Sequence, residues 1–542
     1  MPPSLVRATA FAASTLVLGV LASCGGGQGG NVGSTTPGTP TSAQVSGASP
    51  FSSGCGMTVP TGTTESATIG SGIQPQIAAI PGGALVGVWE QDRWSGLGAR
   101  GILTARSLDG GATWSGPQPL AFSICTATAA PGATYDRASD PWISFGGNGL
   151  VVASALAFSA NGFTGSGSAA GGLSAVLVAR STDSGVTWST PIAVVADTNP
   201  GTVGPFFFND RDSVTADAFG NVYLVWDRFT TDTTVSVPAY LASSSDGATT
   251  WSAPRIINDP GPGNEAFNNQ IAILPNGTVL DFFTLLGAVS FTASLQVISS
   301  TDRGVTWTAP ITVAPITSVG TTNPITNGSI RDSALMAQVA VDAASGHVAT
   351  VWQQSFTSGA FDGVALSLST NGGTAWSAPK QINGVPGVGA FSPTVRYLPG
   401  GVIAVTYYDL RDYVTGSSVL STSAWLTESA DSGATWHEVR LQSPFDLNKA
   451  PLGNLNGSVG LFLGDNQGLA LYGNNALPFY AATNSGGAHV YATQAPSPLT
   501  SPTAHVYAAA RSTGALPAAA QARTHSQVER LLRRAGPSNP NP

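Results

Sequence analysis

Charge, cysteine and histidine are all scarce in this chain. Only 9% of its 542 residues are charged, and it holds three Cys, three Met and five His. No His-x-x-x-His or His-Glu-x-x-His pair occurs, which argues against a zinc hydrolase. No Gly-x-Ser-x-Gly elbow sits in a strand–helix context, and no phosphate loop occurs, so neither a serine-hydrolase nor a nucleotide-binding reading has a foothold. Lys and Arg number 21 against 29 Asp and Glu, a net charge of −8. That balance argues against nucleic acid as a partner. Sustained helical periodicity is absent before the C-terminal tail. What the chain has instead is 66 Gly, 37 Pro and 42% apolar residues. That mixture suits short strands, tight turns and a sizeable core.

The N-terminus reads as an export signal. Arg7 precedes an apolar stretch from Ala8 to Leu21, too short to span a membrane. Leu21-Ala22-Ser23-Cys24 follows and resembles the lipobox of bacterial lipoproteins. The resemblance implies cleavage before Cys24 and a diacylglycerol on its thiol. Residues 1–23 are then the signal, and residues 24–58 a flexible Gly/Ser/Thr/Pro tether. Residues 59–498 form the folded domain, and 499–542 a poorly ordered tail with one short helix over Ser526–Ala535. Export places Cys55 and Cys125 in an oxidising space, where they can pair or stay as thiols.

The decisive feature is an internal repeat. The octapeptide Ser107-Leu108-Asp109-Gly110-Gly111-Ala112-Thr113-Trp114 recurs around Asp183, Asp302 and Asp431. Two copies are altered: Ala248 stands at the Gly position after Asp246, and Asn371 replaces the Asp. The closing residues are Trp114, Trp188, Trp251, Trp307, Trp376 and Trp436, roughly 60 residues apart. Ser and Asp can hold a hairpin turn by bonding backbone amides, Gly permits positive φ, and Trp packs beneath. Asn371 keeps an acceptor, whereas Ala248 is less comfortable at positive φ. A role repeated in every unit is structural, so no catalysis is assigned to these acids.

The motif resembles the Asp-box, or BNR repeat, of the sialidase superfamily. The resemblance implies an all-β propeller of four-stranded blades. Six units carry a box, and a seventh starts at Gly464-Asp465 without one. The strand pattern therefore favours seven blades over six, with a strand from residues 60–70 closing the ring and removing exposed edges.

Polar groups recur where inner strands begin, at the expected channel mouth. Asp140, Asp212, Asp332 and Asp465 share one phase, and Arg137, Arg211 and Arg331 lie just before three of them. A second set follows the second strands: Glu90, Asp92 and Arg93; Asp227 and Arg228; Asp409, Arg411 and Asp412. Asp140, Asp212 and Asp409 are the candidate acid/base carboxylates. Arg137, Arg211, Arg331, Asp332, Arg411 and Asp465 are the candidate ligand-binding groups. Mutual ion pairing that ties neighbouring blades together is the competing reading. No metal site or cofactor is expected, apart from a structural cation such as calcium.

The sialidase resemblance fails at its catalytic positions. The strand from Ile73 to Ala78 holds no Arg where the first carboxylate-binding Arg belongs, Asn268 stands where the catalytic Glu belongs, and Phe391 near the Tyr nucleophile. Asp281 occupies the region of the next Arg. Glu90 and Arg93 do match a Glu-x-x-Arg strand end, but the loop from Trp94 to Arg100 lacks the acid/base Asp. Standard exo-sialidase chemistry is thus not expected. The preferred expectation is an exported, lipid-anchored monomer that binds a glycan or an envelope protein and touches the membrane only through its anchor. The alternatives are a glycoside hydrolase using other residues at the mouth, and an envelope assembly factor.

Overall fold

In a computed structural model, residues 39–52, 54–55, 64–159, 173–198, 207–230, 236–356, 359–455, 458–511 and 517–532 are described. Cys24 and the signal segment lie outside them. The chain is an all-β propeller, and its unit is a four-stranded antiparallel meander. The first blade runs Ala67–Ile80, Ala84–Trp94, Ala99–Ser107 and Gln118–Leu120, from the axis outward. The next three repeat that order, with inner strands Arg137–Phe145, Phe207–Ala216 and Glu265–Ile273. The fifth and sixth begin at Ala337–Val341 and Ala390–Leu398.

A further blade closes the circle. It holds Gly468–Tyr472, Asn475–Asn484 and Gly487–Gln494. Its outermost strand is Thr41–Gln44, paired antiparallel with Gly487–Gln494. The closing strand therefore comes from the stretch read as tether, not from residues 60–70. Residues 67–70 instead begin the first inner strand. Polar, small Thr41–Gln44 shows no strand pattern, but it covers an edge that would otherwise be open.

Each interface between blades is an apolar layer. Val152 and Val178 meet Val214, Leu224 and Trp226 between the second and third blades. Leu85 and Trp89 of the first blade meet Phe479 and Val490 of the closing one. That last seam needs Gly87, because a Cβ there would stand 2.3 Å from the Phe479 ring.

The octapeptides behave as their chemistry dictates. Asp109 Oδ1 accepts from the Ser107 hydroxyl and the Thr113 amide, both at 2.9 Å, while the Gly111 amide donates to Ser107 Oγ at 2.8 Å. The Thr113 hydroxyl and amide hold the Asp109 carboxyl down to about 2. Asn371 keeps its contacts with Ser369 and the Ala375 amide. Ala248 does adopt positive φ, at 62°.

The tail also departs from expectation. His505–Ala508 adds to the outer edge of the sixth blade and Ala510–Arg511 to that of the fifth. A helix, α1 (Ala518–Leu532), then packs Val528 and Leu531 into the core between the fourth and fifth blades. It starts eight residues before the expected Ser526, because Ala518–His525, rich in Ala with Gln and Arg, extends it on the N-terminal side. These segments are strapped across three blades rather than left loose.

Candidate functional site

Inner strands share a local fault. Their pairing with the second strand slips at Ile73/Gln76, Ser139/Trp142, Asp210/Ser213, Phe267/Gln270 and Phe391/Thr394. At each bulge a non-glycine residue takes positive φ: Gln74 (54°), Asp140 (51°), Arg211 (52°), Asn268 (59°) and Ser392 (49°). A ring of such backbone is costly and re-aims side chains. Several now meet across the axis, where blades that are not neighbours can touch.

The centre of this meeting is Asp465, fully buried on the closing blade. Its Oδ2 accepts from Arg211 of the third blade at 2.6 Å and from Arg331 at 2.8 Å. Burial alone would raise this carboxyl, but the two guanidiniums outweigh it and hold it at about 2. Arg331 also donates to the Asn454 carbonyl at 2.9 Å and stacks 4.0 Å from the Phe462 ring. Phe462 lies in a short ribbon, Leu452–Leu455 with Ser458–Phe462, that pairs in parallel with Ile330–Arg331.

Asp140 stands on the other side of Arg211, 3.9 Å from its Nη1, and accepts from Gln74 Nε2. Burial pushes its carboxyl up to about 6; Arg211 opposes this, and Asp210, Asp465 and Glu90 reinforce it. Glu90 holds the Ser139 hydroxyl at 2.7 Å and Arg93 at 2.8 Å. Asp210 lies 4.0 Å from Arg211 Nε. Side-chain exposure is 11% for Asp140 and 14% for Asp210, against none for Asp465. These two are the most exposed acids of the cluster.

The remaining candidates are placed elsewhere. Asp212 is buried beside Ser154 of the second blade, and burial raises its carboxyl well above the usual range. Asp332 accepts from the Thr321 amide at 2.7 Å and Gln353 at 2.9 Å. Arg137 pairs with Glu65 at 2.6 Å and lies over the Trp94 ring. Asp409 accepts from Arg411 and Trp425, and Arg411 reaches Glu438. That group ties strands of one blade together. Cys55 and Cys125 are joined as a disulfide. Among the described residues, no three His, Cys, Asp or Glu converge as a metal site would require. Sequence reasoning passed over Gln74 and Asp210 as members of the cluster. Period-two alternation would put Asp210 and Asp212 on one face, and only the bulge between them separates the two.

Asp281 illustrates a buried acid with no such role. It faces Ile271 and Ile298 in register, and burial pushes it well above the usual carboxylate range, offset only by the Gln270 amide. The folded chain therefore keeps a proton that the unfolded chain releases above about pH 4. Its contribution is fully present below that pH and is lost as pH rises through the folded value. Asp281→Asn should remove this loss, at most about 1.4 kcal/mol per pH unit. Urea midpoints from pH 4 to 8 should fall less steeply in the variant.

The four-stranded meanders and the Asp-box turns define a BNR-repeat propeller. A family model described as BNR repeat-like domain matches residues 220–527, and the chain belongs to that family. No curated protein sequence matches it. Among solved structures it is similar to a Hadza microbial sialidase, at 18% identity and TM-score 0.42, covering 62% of this chain and 63% of that one. It is also similar to a Dyadobacter fermentans protein of unknown function, at 13% identity and TM-score 0.44, covering 83% and 98%. A Penicillium chrysogenum alpha-L-arabinanase is similar at 13% identity and TM-score 0.41, covering 68% and 93%. The chain thus spans less than two thirds of the sialidase's length.

Proposed function

We propose that this protein is an exported, lipid-anchored propeller that binds a glycan at the channel mouth without standard exo-sialidase chemistry. The supporting observation is the self-occupied arginine pair. Asp465 already fills the space between Arg211 and Arg331 that a ligand carboxylate would need. Beside it Asp140 and Asp210 keep 11% and 14% of their side chains exposed, and carboxyl oxygens suit the hydroxyl donors of a sugar. Anchoring through Cys24 would hold the propeller at the envelope.

A hydrolase is the second reading, favoured by Asp140 at about 6 beside a second acid, Asp210. An acid poised near neutrality can give a proton to a leaving oxygen. One experiment separates the two. The purified protein is applied to a mixed-glycan array and to fluorogenic glycosides, alongside Asp140→Asn. Binding without turnover, weakened about tenfold in the variant (about 1.4 kcal/mol), is the expected result. Turnover with a limb near pH 6 that vanishes in Asp140→Asn would establish the hydrolase instead.

A further inference from the structure

A cavity of about 390 Å³ lies beside the axis, beneath α1. One wall is the stretch from Val319 to Leu335 leading into the fifth blade, and the other is a face of the helix. The helix is held in place. The Thr524 hydroxyl donates to the Ser318 carbonyl at 2.9 Å, and Arg523 donates to the Val319 carbonyl at 3.1 Å. The volume falls in the range of small-molecule sites, about 300–1,000 Å³.

Three guanidiniums line this space: Arg331, Arg523 and Arg530. Asp332 is the only acid among the lining residues, and it is already engaged by the Thr321 amide and Gln353. Arg530 is exposed and makes no ion pair with a described residue. Three further lining atoms are buried without a hydrogen-bond partner: Arg331 Nε, Thr321 Oγ1 and Gln527 Oε1. Buried polar atoms are rarely left unmatched. Here a donor, a hydroxyl and an acceptor stand idle around one cavity. The guanidiniums call for an anion, and Gln527 Oε1 calls for a hydroxyl.

We propose that this cavity binds the acidic end group of a saccharide, a sugar bearing a carboxylate or a sulfate. Arg530, with the idle Nε of Arg331, faces the anion, and Thr321 and Gln527 face the ring hydroxyls. The inference rests on the carbohydrate reading and shares only Arg331 with the axial cluster.

The test is calorimetric titration of the mature protein with galacturonate, glucosamine 6-sulfate, neutral galactose, acetate and inorganic sulfate. One or both acidic sugars should bind and galactose should not; which of the two binds identifies the anion. Arg530→Gln should weaken binding about tenfold. Gln527→Leu should bring the acidic sugars down towards the affinity of acetate or sulfate. Both side chains line the cavity, Gln527 one helical turn from Leu531, while Val528 packs into the core. The inference is overturned if neither acidic sugar binds, if both variants bind as the parent does, or if acetate and sulfate bind as well as the sugars. Neutral oligosaccharide binding that is sensitive to Asp140→Asn but not to Arg530→Gln would leave the mouth reading standing while this one falls. Acidic monosaccharides binding where no oligosaccharide does would have the opposite meaning.

Discussion

Asp465→Asn should destabilise the protein by about 3–5 kcal/mol. The substitution keeps the volume and removes the charge, leaving Arg331 buried without a counter-ion and Arg211 with only the longer contacts to Asp140 and Asp210. Their other contacts do not compensate. Arg211 lies only 3.9 Å from Asp140, an acid already pushed up to about 6, and Arg331 has one carbonyl and one aromatic face. Removing one partner of a buried pair costs far more than the intact pair contributes. The pH dependence has a definite sign. The Asp465 carboxyl is held at about 2, below its unfolded value near 4. Its contribution is therefore present above about pH 4 and is lost as pH falls towards 2. Urea denaturation at pH 7 and pH 3 should show a large gap between parent and variant at the higher pH and a smaller one at the lower. Equal midpoints at pH 7 would mean that Asp465 does not hold the arginines together.

Loss of the Cys55–Cys125 bridge should cost about 4 kcal/mol, the value expected from the chain-entropy model for a loop of this length. The two residues are 70 apart in sequence, and the loop between them contains all four strands of the first blade. The bridge also fixes the Cys55 carbonyl, which accepts from Arg100 at 3.1 Å and 2.9 Å. Arg100 in turn pairs with Asp92 at 3.0 Å. The N-terminal segment that closes the ring is thus pinned beside the first blade. A Cys55→Ser, Cys125→Ser double variant should unfold at lower denaturant than the parent, and reductant should lower the parent's midpoint but not the variant's. A parent indifferent to reductant would show that the bridge adds nothing.

The Asp-box turns were legible because they are local. Every group that closes such a turn lies within eight residues, so spacing alone specifies the contacts. The closing strand was not legible, because Thr41–Gln44 has neither apolar alternation nor turn signals and becomes a strand only by pairing with Gly487–Gln494. The same holds for His505–Ala508 and Ala510–Arg511, which find edges on other blades. Among the acids, Asp140, Asp212, Asp332 and Asp465 looked equivalent by phase. They end as a mostly buried mouth acid, an acid sealed between blades, a turn-holding acceptor and an arginine bridge.

The amino-acid sequence determined the repeating unit, its turns and the set of ionisable groups near the axis, since these follow from short-range spacing and side-chain chemistry. The tertiary structure decided which of those groups meet. Bulges at Gln74, Asp140 and Arg211 re-aim side chains by a local backbone change that no residue type announces. Ring closure then sets Asp465 against Arg211, 254 residues away. Charge pairing across an axis depends on distances fixed only when every blade is packed, so the difference between an open carboxylate and a sealed one is a property of the assembled fold.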